Sequence, residues 1–251
     1  MAANTELLFG GLDYRENRKM MKKMLMGLGL SAAVAAAPAS AATLSVGHGI
    51  PGENGLPVDV CLVTDMGPSA LFTGVTFGQF ATVDADLAAG RYDVEVRLTD
   101  GGMCTGAVAA AGSIFLGLGE NATALAHLTE QGTPTITKYV NDFRPLMNGK
   151  TRIYARHAAA AGDVNVVIRR DHKQRKHRKG VVIRGLENPD QEGATLRAAT
   201  YNVAIYPKGT WRKPLFSAKL PLEAGIGYFA YAVGSPADGS FEVLLQAFPI
   251  P

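Results

Sequence analysis

The sequence predicts an all-β protein: two tandem Ig-like or transthyretin-like antiparallel β-sandwich domains behind an N-terminal signal peptide. Three observations lead there. First, one pattern occurs twice. L-S-V-G-H from Leu44, a loop and V-D-V-C-L-V (58–63) return as R-I-Y-A-R-H from Arg152, a shorter loop and V-N-V-V-I (164–168). L-A-A-G-R-Y-D-V-E-V (87–96) returns as L-R-A-A-T-Y-N-V-A-I (196–205). The offset, about 106 to 109 residues, is the length of one small domain. Second, 29 Gly and 13 Pro punctuate the chain, a mix that suits short strands and turns better than long helices. Third, roughly seven short strands are legible in each copy, with a turn about every 8–12 residues, which is sandwich spacing.

Residues 1–41 read as a signal peptide. Arg18, Lys19, Lys22 and Lys23 form a basic segment, 24–37 is apolar and free of charge, and Ala39-Ser40-Ala41 supplies a small-x-small cleavage pattern. The apolar run is about 14 residues, short of the ~20 that span a bilayer as a helix. An uncleaved anchor is the alternative. The segment has no Arg-Arg pair, which points to the general secretory route. A secreted or periplasmic bacterial product is expected, with no transmembrane segment in the mature chain.

The first domain is expected over 42–145. Strands are read at 44–48 and 58–63, separated by a Gly/Pro loop. In the second of these, Val58, Val60 and Leu62 share one face and Asp59 and Cys61 the other, by the period-two rule. Residues 72–87 alternate loosely, with breaks at Gly74 and Gly78. The cleanest strand is 91–97, with Tyr92, Val94 and Val96 toward the core and Asp93, Glu95 and Arg97 toward water. A hairpin turn at 100–102 follows. Residues 107–112 are small and apolar and could form a helical turn; an extended lead-in to a strand at 113–118 is the preferred reading. Gly117-x-Gly119 reads as a hairpin turn into a strand at 122–129, and 135–140 closes the unit. A linker falls at 144–149. The second domain, 146–251, repeats the order with strands at 152–156, 164–169, 181–186, 195–205, 215–221, 227–233 and 241–248.

Both cysteines, Cys61 and Cys104, fall in the first copy. In an oxidising compartment such a pair reads as a disulfide, with two buried free thiols as the alternative. A ring of about 44 residues would stabilise by roughly 4 kcal/mol in the chain-entropy model. Val167 occupies the Cys61 position in the second copy, which must fold without a staple.

A family resemblance rests on His48, Pro51, Pro57, Val58-Asp59-Val60, Val75-Thr76-Phe77-Gly78 and Leu87-Ala88-Ala89-Gly90-Arg91-Tyr92. The second copy offers His157, Val164-Asn165-Val166, Leu196 and Tyr201, and lacks the Phe-Gly pair and the paired prolines. On these residues the chain resembles a tandem pair from the bacterial extracytoplasmic domain of unknown function 4397 family. The resemblance implies a secreted or surface β-sandwich and brings no activity with it.

Charge divides between the halves. Residues 42–145 carry 4 Lys/Arg against 11 Asp/Glu, a net of −7, and residues 146–251 carry 16 against 8, a net of +8. Much of the excess is one segment, Arg169, Arg170, Asp171, His172, Lys173, Gln174, Arg175, Lys176, His177, Arg178 and Lys179, with seven cations and one acid. It sits where a hairpin is expected. Clustered cations repel one another and stay in water unless a polyanion or acidic surface is near. The partners considered are an anionic envelope polymer, lipid headgroups or an acidic protein surface, beside a solvated loop with no partner at all. No aromatic residue interleaves the run, which argues against nucleic acid. Metal capture by His172 and His177 is opposed by the flanking cations.

No motif carries a reaction. There is no H-x-x-x-H, H-E-x-x-H or C-x-x-C spacing, no G-x-S-x-G elbow and no phosphate loop between a strand and a helix. His48 and His157 hold equivalent strand ends, where a histidine bonds a neighbouring loop. Asp84 and Asp86 share a face, most simply a solvated one. No catalytic, cofactor-binding or metal-binding residue is assigned. The reading is a non-enzymatic, envelope-associated binding or structural protein that needs no cofactor; the alternative is an extracytoplasmic hydrolase whose active site no motif marks.

Overall fold

The computed structural model describes residues 41–52, 56–83, 87–171 and 180–250. The signal peptide expected at 1–41 lies outside these but for Ala41, as do Asp84 and Asp86. The described residues contain sixteen strands and no helix. In the first half they are β1 (Thr43–His48), β2 (Val58–Thr64), β3 (Gly67–Val75), β4 (Phe80–Thr82), β5 (Gly90–Leu98), β6 (Val108–Leu116), β7 (Asn121–Leu128) and β8 (Pro134–Val140). In the second they are β9 (Lys150–Ala159), β10 (Val164–Arg170), β11 (Gly180–Leu186), β12 (Gln191–Arg197), β13 (Ala199–Pro207), β14 (Phe216–Leu222), β15 (Ile226–Gly234) and β16 (Glu242–Pro249).

Four four-stranded sheets result, ordered β4-β1-β7-β8 and β3-β2-β5-β6 in the first half, β12-β9-β15-β16 and β11-β10-β13-β14 in the second. Adding eight to each strand number converts one half into the other, so the duplicated motif is a duplicated topology. Each half has eight strands rather than the seven expected. Pairing is antiparallel except for β1 with β7 and β9 with β15, which run parallel because cross-sheet connections return the chain in the same sense.

Two sequence expectations are corrected. The run 195–205 is two strands, β12 and β13, in different sheets; Ala198 between them turns the corner. Residues 117–120 do not close a hairpin. They carry the chain from β6 in one sheet to β7 in the other, because only a crossing lets the apolar faces of both strands meet over the same core. The ambiguous stretch 107–112 is extended and enters β6 at Val108.

The repeat extends to fine detail. A bulge interrupts the pairing of β2 with β3 between Val58 and Val60, and that of β10 with β11 between Val164 and Val166. At each bulge a glycine with positive φ, Gly74 at 67° and Gly185 at 60°, turns its N–H to a side chain on the neighbouring strand. Gly74 N donates to Asp59 Oδ1 at 3.1 Å and Gly185 N to Asn165 Oδ1 at 3.0 Å. Likewise Tyr92 donates its hydroxyl to the Ala88 carbonyl and Tyr201 to the Arg197 carbonyl, both at 2.8 Å and both four residues back.

Each sandwich has its own core. Leu44, Val46, Val58, Val60, Val94 and Val96 lead the first, and Ile153, Val164, Val166, Val203 and Ile205 the second. A third apolar cluster joins them. In β7, Ala122, Ala124 and Ala126 face the first core while Leu125 faces the other half. In β15, Tyr228 and Ala232 face the second core while Phe229, Tyr231 and Val233 face the first half. The sheets containing β7 and β15 are therefore covered on both faces, and the two sandwiches stack four sheets deep. Asn188 Nδ2 spans the junction, donating to the Leu128 and Ala159 carbonyls at 2.9 and 2.7 Å. Arg152 does the same for residues beyond β8, donating to the Asp142 carbonyl at 3.0 Å and pairing with its carboxylate at 3.1 Å. The Asp142 carboxyl, hydrogen-bonded by Arg144 against the opposing effect of burial, is held well below the usual carboxylate range.

Cys61 and Cys104 are bonded and buried, and pin the β5–β6 loop over the outer face of β2. Asp59 shares the task. Burial pushes its carboxyl up, but donors from Cys104 N (3.1 Å), Gly74 N and Thr99 Oγ1 (2.9 Å) outweigh that and hold it below its ordinary value. Replacing both cysteines (C61V with C104A) should cost about 4 kcal/mol. Hydrogen exchange should show the loss in β2, β3, β5 and β6 ahead of β10, β11, β13 and β14; equal loss in both outer sheets would contradict a local staple.

Candidate anion-binding face

The second sandwich turns the sheet β11-β10-β13-β14 outward. Alternation places Val164, Val166, Ile168, Val203 and Ile205 in the core, so the intervening residues form the outward face, on which Asn165 and Val167 are nonetheless buried. The pairing sets these in rows. Gly180, Arg169, Asn202 and Lys219 form one, at the base of the β10–β11 hairpin. Val182, Val167, Ala204 and Ser217 form the next. Asn165 and Tyr206 follow in a third. The middle row is made of small side chains, so the face dips into a trough of about 330 Å³.

The two ends of the trough differ. At the hairpin end, Arg169 is exposed and Arg170 half-buried, and Asp171 pairs with Lys219 at 3.1 Å and accepts from Asn202 Nδ2 at 3.2 Å. Arg170 also borders a second depression at the sheet edge, of about 280 Å³, which Lys150 and Arg197 share and no acid lines. At the other end, the β13–β14 loop lays Trp211 against Tyr206 with ring centroids 5.6 Å apart. The Arg184 guanidinium sits 5.2 Å from the Trp211 centroid. Trp211 is nonetheless 46% exposed. This cluster lies on the β13–β14 loop, the counterpart of the β5–β6 loop that carries Cys104 in the first copy.

Of the seven predicted cations, Arg169 and Arg170 end β10 and are brought onto this face. Lys173, Arg175, Lys176, Arg178 and Lys179, with His172 and His177, lie outside the described residues. Gly180 opens the returning strand β11, so the segment is the connection of a β10–β11 hairpin. Sequence reasoning missed Arg184, Asn202, Trp211 and Ser217. Their only signal was the polar half of each strand's alternation, together with the single tryptophan of the chain standing beside Arg212 and Lys213.

The histidines sit elsewhere. His48, His127 and His157 are all buried. His157 Nε2 donates to the Gly162 carbonyl at 3.2 Å, and His48 bonds the Leu56 backbone, so each ties the loop that follows its strand. His127 Nδ1 meets the Leu128 carbonyl at 2.9 Å and its Nε2 meets Thr137 Oγ1 at 2.8 Å. Burial pushes the pKa of all three down, so they are neutral. Among the described residues no group of three His, Cys, Asp or Glu converges as a metal site would require. Among the described residues there is no helix long and apolar enough to cross a membrane.

Eight strands in two sheets, repeated with the same topology and capped by an outward cationic face, define a tandem all-β sandwich protein. The chain belongs to the domain of unknown function 4397 family, whose model matches residues 42–167, the first sandwich with β9 and the start of β10. No curated protein matches the chain. Among solved structures it is similar to the Bacillus anthracis TIE protein, at 12% identity over 76% of this chain and 33% of that one, with a TM-score of 0.24. It thus spans about a third of that protein. It is also similar to two putative cell adhesion proteins. One, from Bacteroides uniformis, shows 11% identity over 84% of this chain and 100% of that one, TM-score 0.32. The other, from Bacteroides ovatus, shows 7% identity over 84% and 98%, TM-score 0.27.

Proposed function

We propose that the protein is a non-enzymatic binding module of the bacterial cell envelope, acting outside the cytoplasm, that holds an anionic polymer or lipid headgroups through the basic β10–β11 hairpin. One observation carries the reading: seven cations fall in the eleven residues 169–179, at the end of a strand pair whose sheet is packed on a rigid core. Arg169 and Arg170 have no ion pair among the described residues. Near an anionic surface each basic residue contributes roughly 1 kcal/mol, screened by salt. The buried disulfide supports an oxidising compartment. The neutral, loop-tying histidines support a role without acid–base chemistry.

Replacing the seven Lys/Arg by Ser or Gln is expected to abolish retention on an anionic matrix at low salt and to leave the melting temperature nearly unchanged. Unaltered retention would remove the hairpin from the function. The charge division between the halves favours one other partner, the acidic first sandwich of a second copy. Sedimentation of the protein alone tests it: salt-sensitive self-association that the same substitutions abolish would replace the polymer by a second copy.

A further inference from the structure

Resting on that reading, we infer that the trough beside the hairpin is a saccharide-binding platform, and that the ligand is an acidic polysaccharide lying along β10 and β13 from Trp211 to Arg169. Three features of the face point to this class together. A half-exposed indole at one end offers an apolar ring surface against which the C–H face of a sugar can pack, and its outward exposure is otherwise unexplained. The floor between is a row of small residues, Val182, Val167, Ala204 and Ser217, which lets a flat ring approach the sheet. Asn202 and Ser217 line it with groups that donate to and accept from sugar hydroxyls. The Arg184 end and the Arg169 end bracket it with cations.

The spacing also fits a chain rather than a point charge. From the Asn165–Tyr206 row to the Arg169–Asn202 row is four residues of strand, about 13 Å, so one ligand must be extended to touch both ends. A lipid headgroup would satisfy the hairpin alone and leave the trough empty. A polysaccharide carrying carboxylates would use the indole, the trough and the arginines at once.

Trp211 is the only tryptophan of the chain, so its emission reports this site without labelling. The test titrates the protein at low salt with polygalacturonate, dextran and phosphatidylglycerol vesicles, each alone. Polygalacturonate is expected to shift or quench the Trp211 emission saturably, while dextran and vesicles leave it unchanged. Ser217→Glu, which places a carboxylate in the trough at an exposed position, should weaken polygalacturonate binding roughly tenfold or more. Trp211→Ala, measured by retention, should weaken it by about the same factor. Circular dichroism melts guard against loss of the loop. Retention of polygalacturonate on the hairpin without any change in Trp211 emission, and undiminished by Ser217→Glu, would overturn the platform while leaving the hairpin reading intact. Vesicles that quench Trp211 and displace polygalacturonate would also overturn it. Loss of all binding on hairpin neutralisation, with the emission response lost too, bears on the hairpin and is separated by the Ser217→Glu arm.

Discussion

Arg156→Ala is expected to lower the free energy of unfolding by about 4 kcal/mol and to separate one unfolding transition into two. Arg156 is 1% exposed and is the largest fully buried side chain among the described residues. It lies in the junction between the sandwiches and has no ion pair among those residues. Neutral acceptors from both halves satisfy it instead. Its Nη2 donates to the Val140 carbonyl at 3.0 Å and to Asn141 Oδ1 at 2.9 Å, from the first half. Its Nε donates to Gln191 Oε1 at 2.9 Å, and its Nη1 to the Tyr231 hydroxyl, in the second. The guanidinium plane is boxed by Tyr139, Phe229 and Tyr231, with centroids 4.9, 4.5 and 4.9 Å from Cζ. Burial pulls its pKa down, and the neighbouring tyrosines oppose that; a guanidinium stays charged regardless.

Truncation removes the guanidinium donors from those acceptors and opens a cavity beside three rings. The third core would lose its polar clamp while the two sandwich cores keep theirs, which is why the halves should melt apart. Arg156→Lys is expected to recover little, because an ammonium cannot present the planar fork that reaches both halves. Urea unfolding followed by circular dichroism, and by Trp211 emission as a probe of the second half, measures both effects. A single transition shifted by less than about 1 kcal/mol would mean that the junction contributes little.

Acid is expected to destabilise the protein steeply from about pH 6.5 downward. His48, His127 and His157 have folded-state pKa values pushed below the ordinary histidine value by burial. Each is neutral when folded and free to take a proton when unfolded. Their contribution is complete above the unfolded pKa and is lost as pH falls below it, because only the unfolded chain then binds protons. The slope approaches at most about 1.4 kcal/mol per pH unit for each histidine, and it ends where that histidine's own folded-state pKa is reached.

Burial outweighs the backbone hydrogen bonds and nearby carboxylates that favour the charged form. Nδ1 of His48 and Nδ1 of His157 are buried without a hydrogen-bond partner among the described residues. Around His157, Asp163 and Glu130 favour protonation weakly and burial outweighs them; around His127, His157 itself opposes it. The carboxylates Asp59 and Asp142, held low by their donors, lose their contribution only in the ordinary carboxylate range and below. Between about pH 6.5 and 5 the histidines therefore act with those two carboxylates still charged, opposed by Glu242, whose carboxyl burial pushes up. Denaturation midpoints across it should fall, and His127→Gln should flatten part of the slope. A midpoint constant through that window would contradict neutral burial.

Much of this architecture was legible in the residues. Tyr92, Val94 and Val96 alternate with Asp93, Glu95 and Arg97, and β5 buries Val94 and Val96 as that pattern demands. The repeated V-D-V and V-N-V runs placed β2 and β10 at equivalent registers, and the cysteine pair named its own bridge. Of the seven cations, Arg169 and Arg170 end β10 beside the trough, and the other five lie outside the described residues. What the residues did not disclose was how the strands divide between sheets. Apolar alternation is the same whether the next strand pairs with its neighbour or crosses the core, so 117–120 read as a hairpin and 195–205 as one strand.

The sequence by itself determined that each strand has two unlike faces and that the unit is used twice. Only the tertiary structure decided what covers the second face. In β9 the run Arg152, Tyr154, Arg156 looks like the water side of an alternating strand, yet Arg156 is sealed beneath β8 and β15. Period two distinguishes one face from the other; it carries no record of a partner surface supplied by residues far away in the chain. Solvent exposure of a face is settled by which sheets meet, and here they meet around a charge that no local pattern could have marked as buried.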